Sequence, residues 1–326
     1  MTGELVASYL DLARSGARRE AIRMALQLLD DGVPRQRILE ELVVVAQREV
    51  GLRWHRHEFS AVDEHLVTSV SQGAIEALST SSPPRATRGL VAVACAEGDW
   101  HSLPSLLFSE LLGGHGQGTI HLGASSPMED VDEFLQRRRP DALVVSCSIA
   151  LSFIGTARLV DAAHRHRLPA LAGGRALTST RAAALGADGW APDAATAAQL
   201  LNTWRDRPPA IDPAPVNLNP DALTLDARAE HLAEQAFDDL ARRFPPMADY
   251  DARQLQRTRE DLAYIVRYLA AARLVDDPSV FIEFRCWLTD LLAARGVPAE
   301  ALTAGIDSLA LLVGPVDASA HQLATR

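Results

Sequence analysis

Gly89-Leu90-Val91-Ala92-Val93-Ala94-Cys95, followed by Ala96-Glu97-Gly98-Asp99-Trp100-His101-Ser102-Leu103-Pro104, decides the fold of the chain. The apolar run reads as a strand, and the segment from Leu106 to Leu112 has helical patterning. Asp99 and His101 therefore sit where a strand hands over to a helix. In an open parallel sheet, that edge is where ligands bind. A histidine there can offer one ring nitrogen to a metal while the carboxylate two residues earlier fixes the other. Taken alone, the pattern fits a solvated loop histidine as well.

Downstream, the alternation of strand and helix continues. Gly118 to Leu122, Ala142 to Cys147 and Pro169 to Ala172 are predicted strands, the last ending in Gly173-Gly174. Met128 to Arg138, Thr156 to His166, Thr180 to Leu185 and Ala194 to Trp204 are predicted helices. Units of this length imply a doubly wound parallel sheet over residues 88–206, with the first, third and fourth strand ends on one edge. Upstream, residues 1–82 carry four apolar stripes at helical spacing and end in Ser79-Thr80-Ser81-Ser82-Pro83-Pro84, which predicts a four-helix bundle. Residues 207–217 are a proline-rich linker, and 218–316 turn helical again, with Ala222 to Phe244 as the first expected helix. The expected class is multidomain, α and α/β.

Composition narrows the function. With 326 residues, 48% hydrophobic and 23% charged, the chain suits two or three globular domains. A net charge of -10 argues against direct binding of nucleic acid. No run is long enough to span a membrane and no leader pattern is visible, so a cytoplasmic location is expected. Cys95, Cys147 and Cys286 lack metal-type spacing and are expected to be buried, reduced thiols. All 32 basic side chains are arginine, which suits bidentate recognition of carboxylates.

A second informative stretch lies in the bundle, where Trp54-His55 is followed by Glu64-His65. An aromatic plate beside a carboxylate and imidazoles can cap a flat ligand, although a core tryptophan with solvated polar neighbours has the same sequence. Together the two stretches resemble the cobalamin-binding modules of methionine synthase and of light-sensing repressors. The resemblance covers roughly residues 1–204 and rests on Asp99-Trp100-His101, Ser146-Cys147-Ser148 and Gly173-Gly174. It implies a flavodoxin-like domain in which His101 ligates cobalt from below and Asp99 tunes it. Ser102, Ser146 or Ser148 would contact the cofactor and its displaced nucleotide tail, and Gly173-Gly174 would let the tail pass the backbone. Pro104 stands where that family has glycine, and Ala150 where it commonly has leucine.

The Trp54, Glu64 and His65 arrangement resembles the photoreceptor branch. That likeness implies adenosylcobalamin, with Trp54, Glu64 and His65 around the adenosyl group and His55 as the upper cobalt ligand after light. The C-terminal Tyr264, Arg267, Tyr268, Arg273, Phe281, Phe284, Arg285, Cys286 and Trp287 fit an ordinary helical core with snorkelling arginines. They also resemble the globin-like, biliverdin-binding domain of photocobilins. The expectation that follows is a light sensor holding adenosylcobalamin and a bilin, with a light-dependent homo-oligomer or a signalling partner protein as its output. Two other functions remain open at this stage: a corrinoid carrier for methyl transfer, and an interaction module without a ligand.

Overall fold

The computed structural model describes residues 1–325. Helices α1 (Gly3–Arg14) and α2 (Arg18–Asp30) open the chain. After Pro34, α3 (Arg35–Ile38) runs through a π-turn, Leu39–Val43, into α4 (Val44–His55) without leaving helical backbone. Helix α5 (Ala61–Ser81) starts at a capping box in which Ser60 and Asp63 satisfy each other's backbone N–H groups. The four helical rods close on Tyr9, Leu10, Ile38, Leu39, Leu42, Ile75 and Leu78, all at most 2% exposed. Burying each such side chain is worth about 1.5–3 kcal/mol.

The sheet domain alternates β1 (Arg88–Cys95), α6 (Ser102–Gly114), β2 (Gln117–His121), α7 (Met128–Arg138), β3 (Ala142–Ser146), α8 (Phe153–Arg165), β4 (Ala170–Gly173), α9 (Ser179–Ala184), β5 (Gly189–Trp190) and α10 (Ala194–Asp206). All pairings are parallel, in the order β2-β1-β3-β4-β5. The crossover from one direction of succession to the other lies between β1 and β3, so their carboxyl ends frame the ligand crevice of this topology. β1 from Leu90 to Cys95 and β3 from Ala142 to Val145 are apolar because both faces are covered. Val91, Val93 and Val144 pack under α6 and α10, while Ala92, Ala94 and Val145 face α8.

The C-terminal region is helical: α11 (Pro220–Ala227), α12 (Ala229–Arg243), a 3-10 turn at Pro245–Asp249, α13 (Ala252–Leu274), α14 (Ser279–Ala293), α15 (Ala299–Val313) and α16 (Ala318–Ala324). The expected single helix from Ala222 to Phe244 is broken at Arg228, where backbone N–H groups bend back onto the last turn of α11. Cys286 is exposed, against expectation, because it lies on the outer face of α14 while Phe281, Phe284 and Leu288 take the inner one. No helix among the described residues is long and apolar enough to cross a membrane.

The three regions are pinned to one another. Leu103 and Leu107 of α6 enter the bundle core, and Arg35 pairs with Glu110. The linker donates Val216 N–H to Asp161 at 2.8 Å. Arg181, 6% exposed, reaches from α9 to Asp277 at 2.7 Å, Ser279 at 2.8 Å and Glu283 at 3.1 Å. These charge-assisted bonds join the sheet domain to the start of α14. Arg181→Ala is expected to cost about 2 kcal/mol by stranding Asp277. A urea melt checks this, and an unchanged midpoint would contradict it.

Candidate corrinoid site

The site grows from the end of β1. Asp99 is fully buried, and its carboxylate accepts from three donors: His101 Nδ1 at 2.8 Å, His101 N–H at 3.0 Å and Ser148 N–H at 2.5 Å. Ser125 N–H in turn donates to the Asp99 carbonyl at 2.8 Å, tying in the loop after β2. Burial pushes the Asp99 carboxyl up, but the bonds from His101 and from the Ser148 and His101 amides outweigh it and hold it below the usual range.

His101 is raised in turn, chiefly by its hydrogen bond to Asp99. Burial opposes the shift, while the charges of Asp99 and then Glu64 add to it. With Nδ1 committed to Asp99, Nε2 has no protein partner among the described residues, and the side chain is 57% exposed. The carboxylate thus selects the tautomer whose free nitrogen carries a lone pair, which is what a metal ligand requires.

The glycines hold the floor. Gly174 has φ +108°, and a Cβ there would lie 2.3 Å from the carbonyl oxygen of Cys147. Gly155, at the start of α8, would clash at 2.1 Å with the Glu97 carbonyl. Gly173 pairs with Ser146 across β3 and β4 and lends its carbonyl to Cys147 N–H at 2.9 Å. Ser146 is buried at the strand end, and Ser102 opens α6, its carbonyl taking the Ser105 hydroxyl at 2.8 Å. Two nearby buried hydroxyls, Ser126 and Ser152, find no hydrogen-bond partner among the described residues. Burial raises Cys95 and takes Cys147 to about 12, so neither thiol is reactive.

The other wall is the bundle. Glu64 lies in the first turn of α5, close enough to His101 for its charge to be felt there, and accepts from Thr68 Oγ1 at 2.8 Å. His65 is solvent-facing, 3.5 Å from Glu64. Val62 and Leu66 on α5, and Trp100 beside His101, are exposed at 65%, 38% and 75%. A free imidazole nitrogen, the exposed Trp100 next to it in the chain and two unpartnered hydroxyls on neighbouring loops fit a large, mostly apolar metal macrocycle with a polar tail.

Asp99, His101 and Ser148 are brought together directly, with Ser146, Gly173 and Gly174 beside them on the sheet edge. Trp54 and His55 are elsewhere engaged. Trp54 stacks on Trp287 of α14 with ring centroids 6.3 Å apart, and His55 lies 5.8 Å from the same indole. The Arg295 guanidinium sits 5.2 Å over Trp54. Sequence reasoning did not assign Gly155, Ser125 or Arg295, and it named Trp287 only among the C-terminal aromatics, not as a partner of Trp54. Gly155 was legible as a glycine opening a helix; Ser125 and Arg295 have no local signal.

Residues 89–199 match a family model described as B12 binding domain, and residues 5–79 match a second model with the same description. The chain therefore carries a helical region and a parallel-sheet domain that bind a cobalamin-type cofactor. No curated protein sequence matches it. Among solved structures, the monomethylamine corrinoid protein of Methanosarcina barkeri is 23% identical, covers 62% of this chain and 100% of its own, and superposes with a TM-score of 0.54. A cobalamin-binding protein from Desulfitobacterium hafniense DCB-2 is 18% identical over 61% of this chain and 98% of its own, with a TM-score of 0.34. The methanol:cobalamin methyltransferase complex of Methanosarcina barkeri is 18% identical over 65% and 83%, with a TM-score of 0.35.

These findings overturn the light-sensor expectation. Two regions of the chain match B12-binding models, its fold is shared with a corrinoid protein, and Trp54, the expected roof over an adenosyl group, is stacked on Trp287. For the C-terminal region, an all-α fold is what the structure supports, and neither the bilin nor the globin-like expectation gains support. Tyr268 and Phe284 stack on each other at 3.7 Å, Arg267 pairs with Glu230, and Arg273 pairs with Asp317 and Asp276, so these rings and guanidinium groups are committed within the protein.

Proposed function

We propose that this chain is a corrinoid carrier that holds a methyl group on cobalt between a donor and an acceptor methyltransferase. The observation that carries the reading is the Ser148–Asp99–His101 chain, which leaves a tautomer-fixed imidazole nitrogen facing the cleft. The likeness to a monomethylamine corrinoid protein supports it. When bound, the corrinoid supplies a cobalt that accepts and gives up the methyl group.

His101 would ligate the cobalt from below. The negative charge on Asp99 would strengthen that ligand and keep its proton on Nδ1. Ser102, Ser146, Ser148 and the backbone at Gly173-Gly174 would line the path of the polar tail. Glu64 and His65 would face the macrocycle from the bundle, with Trp54 and His55 at its margin. A carrier needs an upper ligand small enough to pass between enzymes, so methyl replaces adenosyl as the expected group.

The test uses the full chain incubated in the dark with methylcobalamin and then desalted. It should retain cobalt and release the methyl group to added free cob(I)alamin. Cobalt lost on desalting, or a methyl label that the acceptor cannot remove, would contradict the reading.

A further inference from the structure

The bundle is held by the rest of the molecule at two separate places. Near the carboxyl end of α5, Ser79 Oγ donates to Glu110 of α6 at 2.7 Å, and Arg35 pairs with the same carboxylate. Leu103 and Leu107 of α6 carry that contact into the bundle core. The second place is the turn that joins α4 to α5. There Arg295, just past α14, donates to the main-chain oxygens of Trp54 and His55, each at 3.5 Å, and its guanidinium lies 5.2 Å over the Trp54 ring. Trp287 stacks on Trp54 at 6.3 Å and lies 5.8 Å from His55. Those carbonyls belong to the last turn of α4, the negative end of its dipole, where an arginine is favoured. Helix α5 is 21 residues long, so the two attachments lie about 30 Å apart along it.

The other end of α14 is fixed to the sheet domain. Asp277, Ser279 and Glu283 take the buried Arg181 guanidinium of α9. Phe284 stacks on Tyr268 of α13 at 3.7 Å, and α13 packs against Ala150–Ser152, the turn after β3. At 15 residues, about 22 Å, α14 is long enough to carry this anchorage across to the bundle. We propose that α14 is a strut that transmits the hold of Arg181 to the α4–α5 turn and stops the bundle from rocking about α6. Without it, an attachment near one end of a 30 Å rod would leave the other end unguided. His101 immediately precedes α6, so rocking would change the space beside its free ring nitrogen. The strut acts with or without a cofactor; its effect on corrinoid exchange rests on the carrier reading.

Hydrogen–deuterium exchange of the full chain without cofactor, read peptide by peptide, tests this. Trp287→Ala combined with Arg295→Ala should speed amide exchange across residues 50–66 at least about tenfold, and leave residues 70–81 and β3 within about twofold of wild type. Arg181→Ala, at the opposite end of α14, should loosen residues 50–66 more than 70–81 although it touches neither. Trp287→Phe, which keeps a ring against Trp54 and guards against misfolding of the double variant, should give an intermediate rate. Unchanged exchange at residues 50–66, equal acceleration over the whole bundle, or a double variant that loosens them while Arg181→Ala does not, would each overturn the strut. In chain loaded with methylcobalamin in the dark, the double variant should also release cobalt at least about tenfold faster. Unchanged release would overturn the effect on corrinoid exchange. A wild type that takes up no corrinoid would sink the carrier reading, while the exchange data on the empty chain still decide the strut.

Discussion

His101→Ala is expected to weaken retention of methylcobalamin by at least about a hundredfold and to change the absorption spectrum of what remains bound. The side chain is 57% exposed, and Asp99 keeps the two backbone N–H donors when it is lost, so the cost to folding should be about 1–3 kcal/mol. The thermal midpoint should therefore fall modestly while affinity collapses. Asp99→Asn is the informative companion. It keeps the size of the side chain but removes the charge that holds the proton on Nδ1, and losing the carboxylate behind a metal-ligating histidine costs about 10–100-fold in metal affinity. It also weakens the bonds from the His101 and Ser148 amides, so a modest loss of stability should accompany it. Equal retention of cobalt by wild type and His101→Ala would show that the imidazole does not ligate.

Gly174→Ala is expected to destabilise the sheet domain by about 3–5 kcal/mol. Two independent costs add there. The backbone sits at φ +108°, which L-residues rarely adopt, and the new Cβ would lie 2.3 Å from the Cys147 carbonyl oxygen, a backbone atom with no freedom to retreat. Cys147 is itself fixed by Gly173 through a hydrogen bond to its amide. Gly173→Ala should be milder, since its Cβ meets only the Ala191 carbonyl, at 3.0 Å. Urea denaturation of the two variants side by side checks both the size and the order of the effects. A Gly174→Ala midpoint equal to wild type would contradict the account of this turn.

The local part of this architecture was legible because it is written in short-range pattern. The apolar run before Cys95, the Asp99-x-His101 pair and the Gly173-Gly174 turn lie at strand ends that sequence periodicity can locate, and parallel topology brings those ends to one edge. What was not legible depends on residues far apart in the chain. Trp54 reads as a roof because nothing near it in sequence reveals Trp287, which fills the space beside it from α14. The aromatic and arginine pattern of the C-terminal helices misled for the same reason. Tyr268, Phe284, Arg267 and Arg273 resemble a pigment pocket until their partners Glu230, Asp276 and Asp317 are in place. The break at Arg228 escaped notice because apolar spacing carries across it from Leu225 to Leu232.

The most direct measurement is the electron paramagnetic resonance spectrum of the cob(II)alamin form, made by loading uniformly 15N-labelled protein with unlabelled cobalamin. Ligation by His101 predicts superhyperfine doublets from the protein's 15N, and their loss in His101→Ala. Triplets from 14N in the wild-type protein would mean that the cofactor's own base still holds the cobalt, and would contradict the account.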